Sequence, residues 1–538
     1  MSETFADALD TAADRWPDRD ALVIGDRRVT FRSLAEESAR IAAGWLDLGV
    51  RPGDKVGLYL ENGPDWALAF WALSRIGAVV VPLSSRWTAS ELRNVLGQAE
   101  LRALLIGDRF RKVDFLRLYE EATRSRSGSG GPPIVVTTAL AGRNELVSWR
   151  SLRAETLDAA LRRRVAAVQS RLRGDDIAVV QFTSGSTAFP KGAMLRQAAM
   201  MEYVRDYGAL MDISPEDRVL CHMPFFHIAG LNHVLLVPAV QGATMITADA
   251  FDAGSALRQL RGERCTVFGG VSTMYLRIVD QTDRASKDFA GIEKAWIQGS
   301  PRTNRQVQEL AAVRGLVSHY GITEMSGATT FGEVRDPLEK RLSNSGRPMP
   351  GIETRIADVE TGAPVPNGKI GEIWHRGRRI MAGYLGLDRG EWNIDRDGWL
   401  HTGDLGSFDA EGYLTFEGRL KDMLKVGGEN VACTEVEDAL MTHSSVKLAA
   451  VVGVPDEQLE EVPVAFVELR GDGDTATEAL REHCAKTIAQ FKLPRRIFVV
   501  KALPMTASNK IHKPALRATA MDALGFGASV LKPSREEA

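Results

Sequence analysis

Residues 181–194 read QFTSGSTAFPKGAM, directly after the apolar run 177–180. Small hydroxyl residues, two glycines, a proline and a lysine follow one another closely. Such a loop offers backbone N–H groups and hydroxyls to an anion, and Lys191 adds positive charge. The same residue types also make ordinary surface turns. It is not a Walker A loop, because the residue five after Gly185 is Pro190 and no Gly-Lys-Ser/Thr follows. Seven further segments stand out in order: PFFHIAG (224–230), QGSPR (298–302), HYGITEMSG (319–327), GWLHTGDLG (398–406), FEGRLKDMLKVGGENV (416–431), KLPRRI (492–497) and PMTASNKIHK (504–513). Each alone could be a structural turn; their order and spacing together are specific.

These segments need elements to hold them. Leu34, Ile41, Trp45 and Leu48 recur at helical spacing, with Gly49 as the C-terminal stop. A strand at 55–60, a helix at 66–75 and a strand at 78–81 follow, and 177–182 is apolar enough for a strand covered on both faces. This alternation predicts an α/β fold with largely parallel layered sheets. From Gly346 short strands and Gly/Pro turns dominate, with a hairpin turn at 409–412, so a β-rich subdomain is expected. Beyond Arg419 the pattern is a small α+β segment. A Thr434–Glu437 capping box should open one helix, strands are expected at 448–454, 462–468 and 496–500, and a second helix near 477–490. The predicted domains are therefore 1–420 and 421–538. The stretch SRSGSGGPP at 125–133 reads as a mobile surface loop.

The bulk properties exclude several classes. The chain has 538 residues and a net charge of −3, so no electrostatic case exists for nucleic acid or an anionic membrane. Its four cysteines are scattered without a C-x-x-C pair, as expected of reduced thiols in a cytoplasmic protein. The N-terminus has no apolar core of a signal peptide, and the greasiest run, 66–83, is interrupted by Ser74, Arg75 and Pro82, so no membrane span is expected. Cys221, His222, His227 and His233 fit no zinc ligand spacing; packing is expected, with a separate role for His227.

Taken together, the eight segments resemble those of the adenylate-forming superfamily, which holds the acyl- and aryl-CoA synthetases, firefly luciferase and the adenylation domains of peptide synthetases. The resemblance covers roughly residues 5–520 and is greatest to the acyl-CoA synthetases. It implies a large N-terminal domain of layered α/β sheets with a β-barrel-like subdomain. It also implies a small α+β C-terminal domain that rotates between two half-reactions. In the first, a carboxylate attacks the α-phosphorus of ATP; in the second, the thiol of CoA takes the acyl group. Bringing two anions together calls for positive charge, Mg²⁺ and fixed geometry.

By the resemblance, Thr183, Ser184, Gly185, Ser186, Thr187 and Lys191 cradle the β- and γ-phosphates, although Ala188 stands where the family has glycine. Tyr320 stacks on adenine, with Gly299, Ser300 and Pro301 opposite. Thr323 bonds the α-phosphate and Glu324 holds Mg²⁺. Asp404 accepts from the ribose hydroxyls beside Arg419. Lys510 is the catalytic lysine; Asn509 replaces the family's glycine, and asparagine tolerates a left-handed backbone. Lys421 is the hinge, and Lys425 with Gly427 and Gly428 lines the thiol tunnel.

Phe225, Phe226 and His227 stand where amino-acid adenylating relatives carry an aspartate, so an ammonium substrate would be left unpaired. His227 resembles the aromatic gate of the acyl and aryl ligases; a satisfied core histidine is the other reading. The expected acyl pocket draws on Phe226, Gly230, Gly270, Gln298, Gly321 and Gly327. These segments are rich in small residues and poor in charge, so a roomy apolar pocket for a hydrophobic acid is expected, with Gln298 facing a substrate oxygen. A ligase loading a carrier protein and a non-catalytic nucleotide-binding homologue stay open as alternatives, and so does a homodimer.

Overall fold

The computed structural model describes residues 4–111, 113–124, 133–139, 146–153, 158–183, 190–427, 429–456, 458–470, 476–506 and 510–525. The stretch 125–132, Ser184, Gly185, Ser186, Thr187, Ala188, Gly428 and Asn509 lie outside them.

Contacts group the chain into two compact units. The first comprises residues 1–355, 374–402 and 411–414; the second comprises 356–373, 403–410 and 415–538. The sequence boundary at 420/421 falls inside the second unit, which also takes in 356–373, 403–410 and 415–420.

Two large sheets organise the first unit. In one, Lys191–Arg196, Ile177–Thr183, Val79–Pro82, Lys55–Tyr59, Ala103–Ile106, Ile134–Thr137 and Val147–Ser148 lie side by side. Its neighbouring strands pair in parallel except the first two, which form an antiparallel hairpin. The other sheet runs Arg347–Pro348, Gly327–Phe331, Leu316–Ile322, Lys294–Gln298, Val267–Val271, Arg218–Leu220, Thr244–Thr247, Asp20–Ile24, Arg27–Thr30. Its parallel centre is buried on both faces, which accounts for continuously apolar strands such as Val267–Val271. The expected helix with the Gly49 stop spans Phe31–Asp47, and Gly49 takes φ +85°. The helix Pro64–Arg75 is buried along its whole length after its first turn, and Arg75 is satisfied there by Asp10 and Ser38.

The β-rich segment is a four-stranded sheet in chain order: Ile352–Ala357, Gly371–Gly377, Leu400–Phe408 and Leu414–Arg419. Gly412, at φ +81°, turns the last two strands. In the second unit Glu429–Ala432, Met423–Val426, Glu460–Leu469 and Val446–Asp456 form a sheet, with Arg496–Val500 beside Glu460–Leu469. The helix expected near 477–490 stops at Cys484. The Thr434–Glu437 capping box does not form. The helix Cys433–Met441 starts two residues earlier than that box requires, with Ala432 as its cap. Thr434 Oγ1 donates instead to the Glu417 carbonyl, and Glu437 accepts from the Val451 N–H and pairs with Lys513 at 2.7 Å. Tertiary partners outcompete the local cap. Among the described residues no helix is long and apolar enough to cross a membrane.

Candidate active site

The hairpin of the first sheet brings Thr183 directly opposite Lys191. Residues 184–189 between them lie outside the described residues. Thr183 and Lys191 are both half-buried.

In the second sheet the strand Leu316–Ile322 delivers Tyr320, then reverses through the short 3₁₀ turn Thr323–Met325 into Gly327–Phe331. Ser326 sits at φ +62°, a left-handed conformation unusual for serine. It is held there by donating to the Arg379 carbonyl at 3.0 Å and accepting from Asn232 Nδ2 at 2.8 Å. The turn sets out Thr323 and Glu324. Glu324 is fixed at both ends: its carbonyl accepts from the Met381 N–H at 2.7 Å, and its Oε1 accepts from Tyr384 Oη at 2.8 Å. Segment 382–385 lies along the strand Lys191–Arg196, so Tyr384 also places its ring 5.3 Å from Lys191 Nζ. Burial and the Glu324 carboxylate push the Tyr384 hydroxyl well above its usual pKa, so it stays a donor. Tyr384 thus joins Lys191 to the Glu324 carboxylate. Sequence reading missed it, because a tyrosine in MAGYLG has no periodic or charge signal.

Tyr320 is buried, with its ring centroid 5.8 Å from that of His375. His375 is also buried and lies between Thr329 Oγ1 at 3.1 Å and Thr354 Oγ1 at 3.0 Å. Burial lowers its pKa to about 3, so it is a neutral wall beside the tyrosine. Ser300 caps the helix Pro301–Ala311. Gln298 ends the strand Lys294–Gln298, half-buried. His227 is half-buried in the turn after Phe225 and Phe226, and its Nδ1 accepts from the Ala229 N–H at 3.3 Å. Phe226 is buried.

The glycines have reasons other than an open pocket. A Cβ on Gly230 would lie 1.9 Å from the Pro224 carbonyl oxygen, and one on Gly321 would lie 2.4 Å from the Ala328 Cα. One on Gly299 would meet Ser272 Cβ at 2.6 Å, and one on Gly327, at φ +141°, would meet the Tyr203 ring at 2.7 Å. Close backbone and ring approach therefore accounts for them. Gly270 alone of the glycines named for the pocket faces something that can yield, the Met274 Sδ at 2.9 Å.

The second unit carries its own cluster. Asp404 is buried and its Oδ1 is 3.1 Å from Arg419 Nε. Lys510 belongs to the same cluster. As a residue it is exposed, yet dense protein around its ammonium, and then the Arg419 charge, lower its pKa, with Asp404 opposing. The Lys510 turn is closed by Thr506 N–H to the Lys510 carbonyl at 2.6 Å and by Lys510 N–H to Thr506 Oγ1 at 3.1 Å. Lys421 is exposed in the short turn Leu420–Asp422, and Lys425 is exposed on Met423–Val426.

Two large α/β sheets in one unit and a small α+β sheet in the other are the parts of an adenylate-forming enzyme. The sequence profile of the family described as AMP-binding enzyme matches residues 9–385, and that of the AMP-binding enzyme C-terminal domain matches 435–510. The chain belongs to that family. It is 31% identical to the medium-chain acyl-CoA ligase ACSF2, mitochondrial, of Rattus norvegicus, over 96% of this chain and 87% of that protein. It is 32% identical to the 3-[(3aS,4S,7aS)-7a-methyl-1,5-dioxo-octahydro-1H-inden-4-yl]propanoyl:CoA ligase of Rhodococcus jostii (strain RHA1), over 96% and 98%. The solved structure of the anthranilate CoA ligase AuaEII in complex with anthranoyl-AMP superposes with a TM-score of 0.85 at 25% identity, covering 97% of this chain and 98% of that one. A benzoate CoA ligase from Burkholderia xenovorans LB400 shares the fold, with a TM-score of 0.82 at 24% identity over 96% and 99%.

Proposed function

We infer that this chain is an ATP-dependent acid–CoA ligase that activates a hydrophobic carboxylic acid as its acyl-adenylate, releases pyrophosphate, and passes the acyl group to the thiol of CoA. The observation that carries this is the link from Lys191 through Tyr384 to Glu324, which brings a cation and a carboxylate to one tyrosine. Lys191 and Thr183 neutralise and orient the outgoing phosphates, and Thr323 bonds the α-phosphate. Asp404 and Arg419 hold the ribose. Lys510 supplies the charge that lets the substrate carboxylate approach the α-phosphorus.

Mg²⁺ fits as a companion of the nucleotide. Glu324 offers the hard oxygen this ion prefers, and among the described residues no group of three His, Cys, Asp or Glu gathers to hold a metal alone. Its other ligands would be phosphate and water; bound there, it neutralises phosphate charge. Lys421 acts as the hinge for 421–538, and Lys425 lies beside the thiol path. The working compartment is the cytoplasm, in keeping with four free buried cysteines.

The acid is apolar and of medium or large bulk. No acidic residue stands in the Phe225-Phe226-His227 turn to pair with an ammonium, and the relatives named above act on medium-chain, aryl or bicyclic acids. The test is ATP–pyrophosphate exchange across a carboxylic-acid panel with mass detection of the thioester. Exchange with a ten-carbon acid should exceed that with acetate by orders of magnitude, at roughly 0.8 kcal/mol per buried methylene. Comparable kcat/KM for the two would overturn the bulky-acid assignment. A product on carrier protein and none on CoA would overturn the acceptor.

A further inference from the structure

His227 is carried by a turn held by two buried amides. Asn62, 4% exposed, lies between the strand Lys55–Tyr59 and the helix Pro64–Arg75. Its Nδ2 donates to the Met223 carbonyl at 3.0 Å and its Oδ1 accepts from the Phe225 N–H at 2.7 Å. One side chain thus brackets Pro224. Gln181, 3% exposed, donates from Nε2 to the Phe226 carbonyl at 2.9 Å. Gly230 packs on the Pro224 carbonyl and Trp66 lies against Phe225, 5.2 Å between ring centroids. The backbone beneath His227 therefore has little freedom of its own.

The two amides differ in what they are attached to. Asn62 sits at the end of a central strand. Gln181 sits two residues before Thr183, on the strand that runs into the phosphate loop. Gln181 also keeps its Oε1 buried without a partner. A buried amide with an unmet acceptor is costly, and an apolar side chain would fill the same space without that cost. Its retained use is the bond to Phe226. Turning the amide over would set two oxygens against each other, so the donor must face the turn.

We propose that Gln181 is a positioning residue that ties the His227 turn to nucleotide at Thr183 and Lys191, with Asn62 holding the same turn in place. The proposal rests on the acid–CoA ligase reading, in which His227 meets the acyl group. Nucleotide seated at Thr183 and Lys191 fixes the end of the strand, Gln181 carries that position to Phe226, and His227 is set for the acid.

A double-mutant cycle tests it. Gln181→Met keeps the volume and loses the donor. It should lower kcat/KM for the acid in adenylate formation about tenfold, leave the KM for ATP within about twofold, and move the melting midpoint little. In a His227→Ala background the same change should cost less than about twofold. Equal losses in both backgrounds would make Gln181 merely structural and overturn the proposal, as would no loss in either or a His227→Ala enzyme equal to the parent. If Gln181→Met fails to fold, Gln181→Asn, which keeps the amide but falls short, takes its place with the same expectations. A second readout needs no turnover: the ring resonances of His227, assigned by their loss in His227→Ala, should shift when ATP is added and should not shift in Gln181→Met. Persistence of that shift in the variant would overturn the coupling. If the parent protein exchanged no pyrophosphate with any acid, the ligase reading would fail, and the resonance experiment would still decide the link.

Discussion

The two clusters of functional side chains are held in opposite ways. In the first unit Tyr320, Tyr384 and His375 are buried, and Glu324 is pinned through both its carbonyl and its carboxylate. The same atoms that would meet nucleotide there also hold strands together. In the second unit Asp404 is buried but Arg419, Lys421, Lys425 and Lys510 are exposed, and their charges are presented from turns and strand ends. Function and stability are therefore entangled in one region and separable in the other. Substitutions at Tyr320, Glu324, His375 or Tyr384 should change melting and turnover together; substitutions at the exposed lysines of the second unit should change turnover alone.

The largest effect expected is that of Lys510→Ala. Loss of the charge that brings two anions together should slow adenylation by roughly a hundred- to thousandfold or more. The melting midpoint should stay within about 2 °C, since an exposed lysine away from core packing contributes little. Conversion of a supplied acyl-adenylate to thioester should survive. Loss of both half-reactions together would break the separation of roles, and a large drop in melting would break the comparison itself.

Lys421→Pro should give the reverse pattern. Proline fixes φ and removes the N–H, which should jam a hinge whose backbone angles must change. Adenylate should still form and pyrophosphate appear, while the thioester step stops. Rapid-quench measurement of the two steps decides this; unchanged overall turnover would place the hinge elsewhere.

How much of this was legible beforehand follows the same division. The charges of the second unit sit in segments whose composition marks them: TGDLG around Asp404, EGRLKD around Arg419 and Lys421, NKIHK around Lys510. The supports of the first unit do not. Tyr384, His375, Asn62 and Gln181 act through contacts across long sequence separations, such as Asn62 to Phe225 and Tyr384 to Glu324. No local pattern encodes such pairs. The strand 496–500 could be read because apolar alternation is local, whereas the Thr434–Glu437 cap was lost to Glu417, Val451 and Lys513, which the local sequence does not reveal. The glycines are ambiguous for the same reason: a glycine opening a pocket and one pressed on a neighbouring carbonyl look alike in a sequence.

Acid should weaken the first unit through its buried imidazoles. His222, His233 and His375 are all buried there, and burial, the largest cause in each, lowers their pKa below the usual 6.5: to about 4 for His222, about 3 for His375, and well below for His233. The folded state keeps them neutral while the unfolded chain binds their protons below about pH 6.5. Their contribution is thus whole above that pH and is lost as pH falls toward 4 and below. Three such groups give a slope of up to roughly 4 kcal/mol per pH unit between pH 6 and 4. Urea midpoints at pH 7.5, 6 and 5 measure it. His375→Gln should reduce the slope by about one proton's worth, roughly 1.4 kcal/mol per unit; an unaltered slope would mean that His375 is charged in the folded protein.

The smallest effect should come from a pair of glycines within the first unit. Gly327→Ala forces a side chain into a φ of +141° and against the buried Tyr203 ring, so it should cost roughly 1–3 kcal/mol of stability and depress turnover for every acid alike. Gly270→Ala meets only the Met274 thioether, whose flexible end can swing aside. Its melting midpoint should hold within about 2 °C, and kcat/KM for a ten-carbon acid should fall only a few-fold, with short acids unaffected. That outcome would identify Gly270 as one place where the first unit yields to the substrate without loosening its frame. Equal stability losses at Gly270 and Gly327 would mean that both are set by packing. The acyl pocket would then have to be bounded by side chains such as Phe226 and Gln298, and substituting those would be the way to shift acid preference.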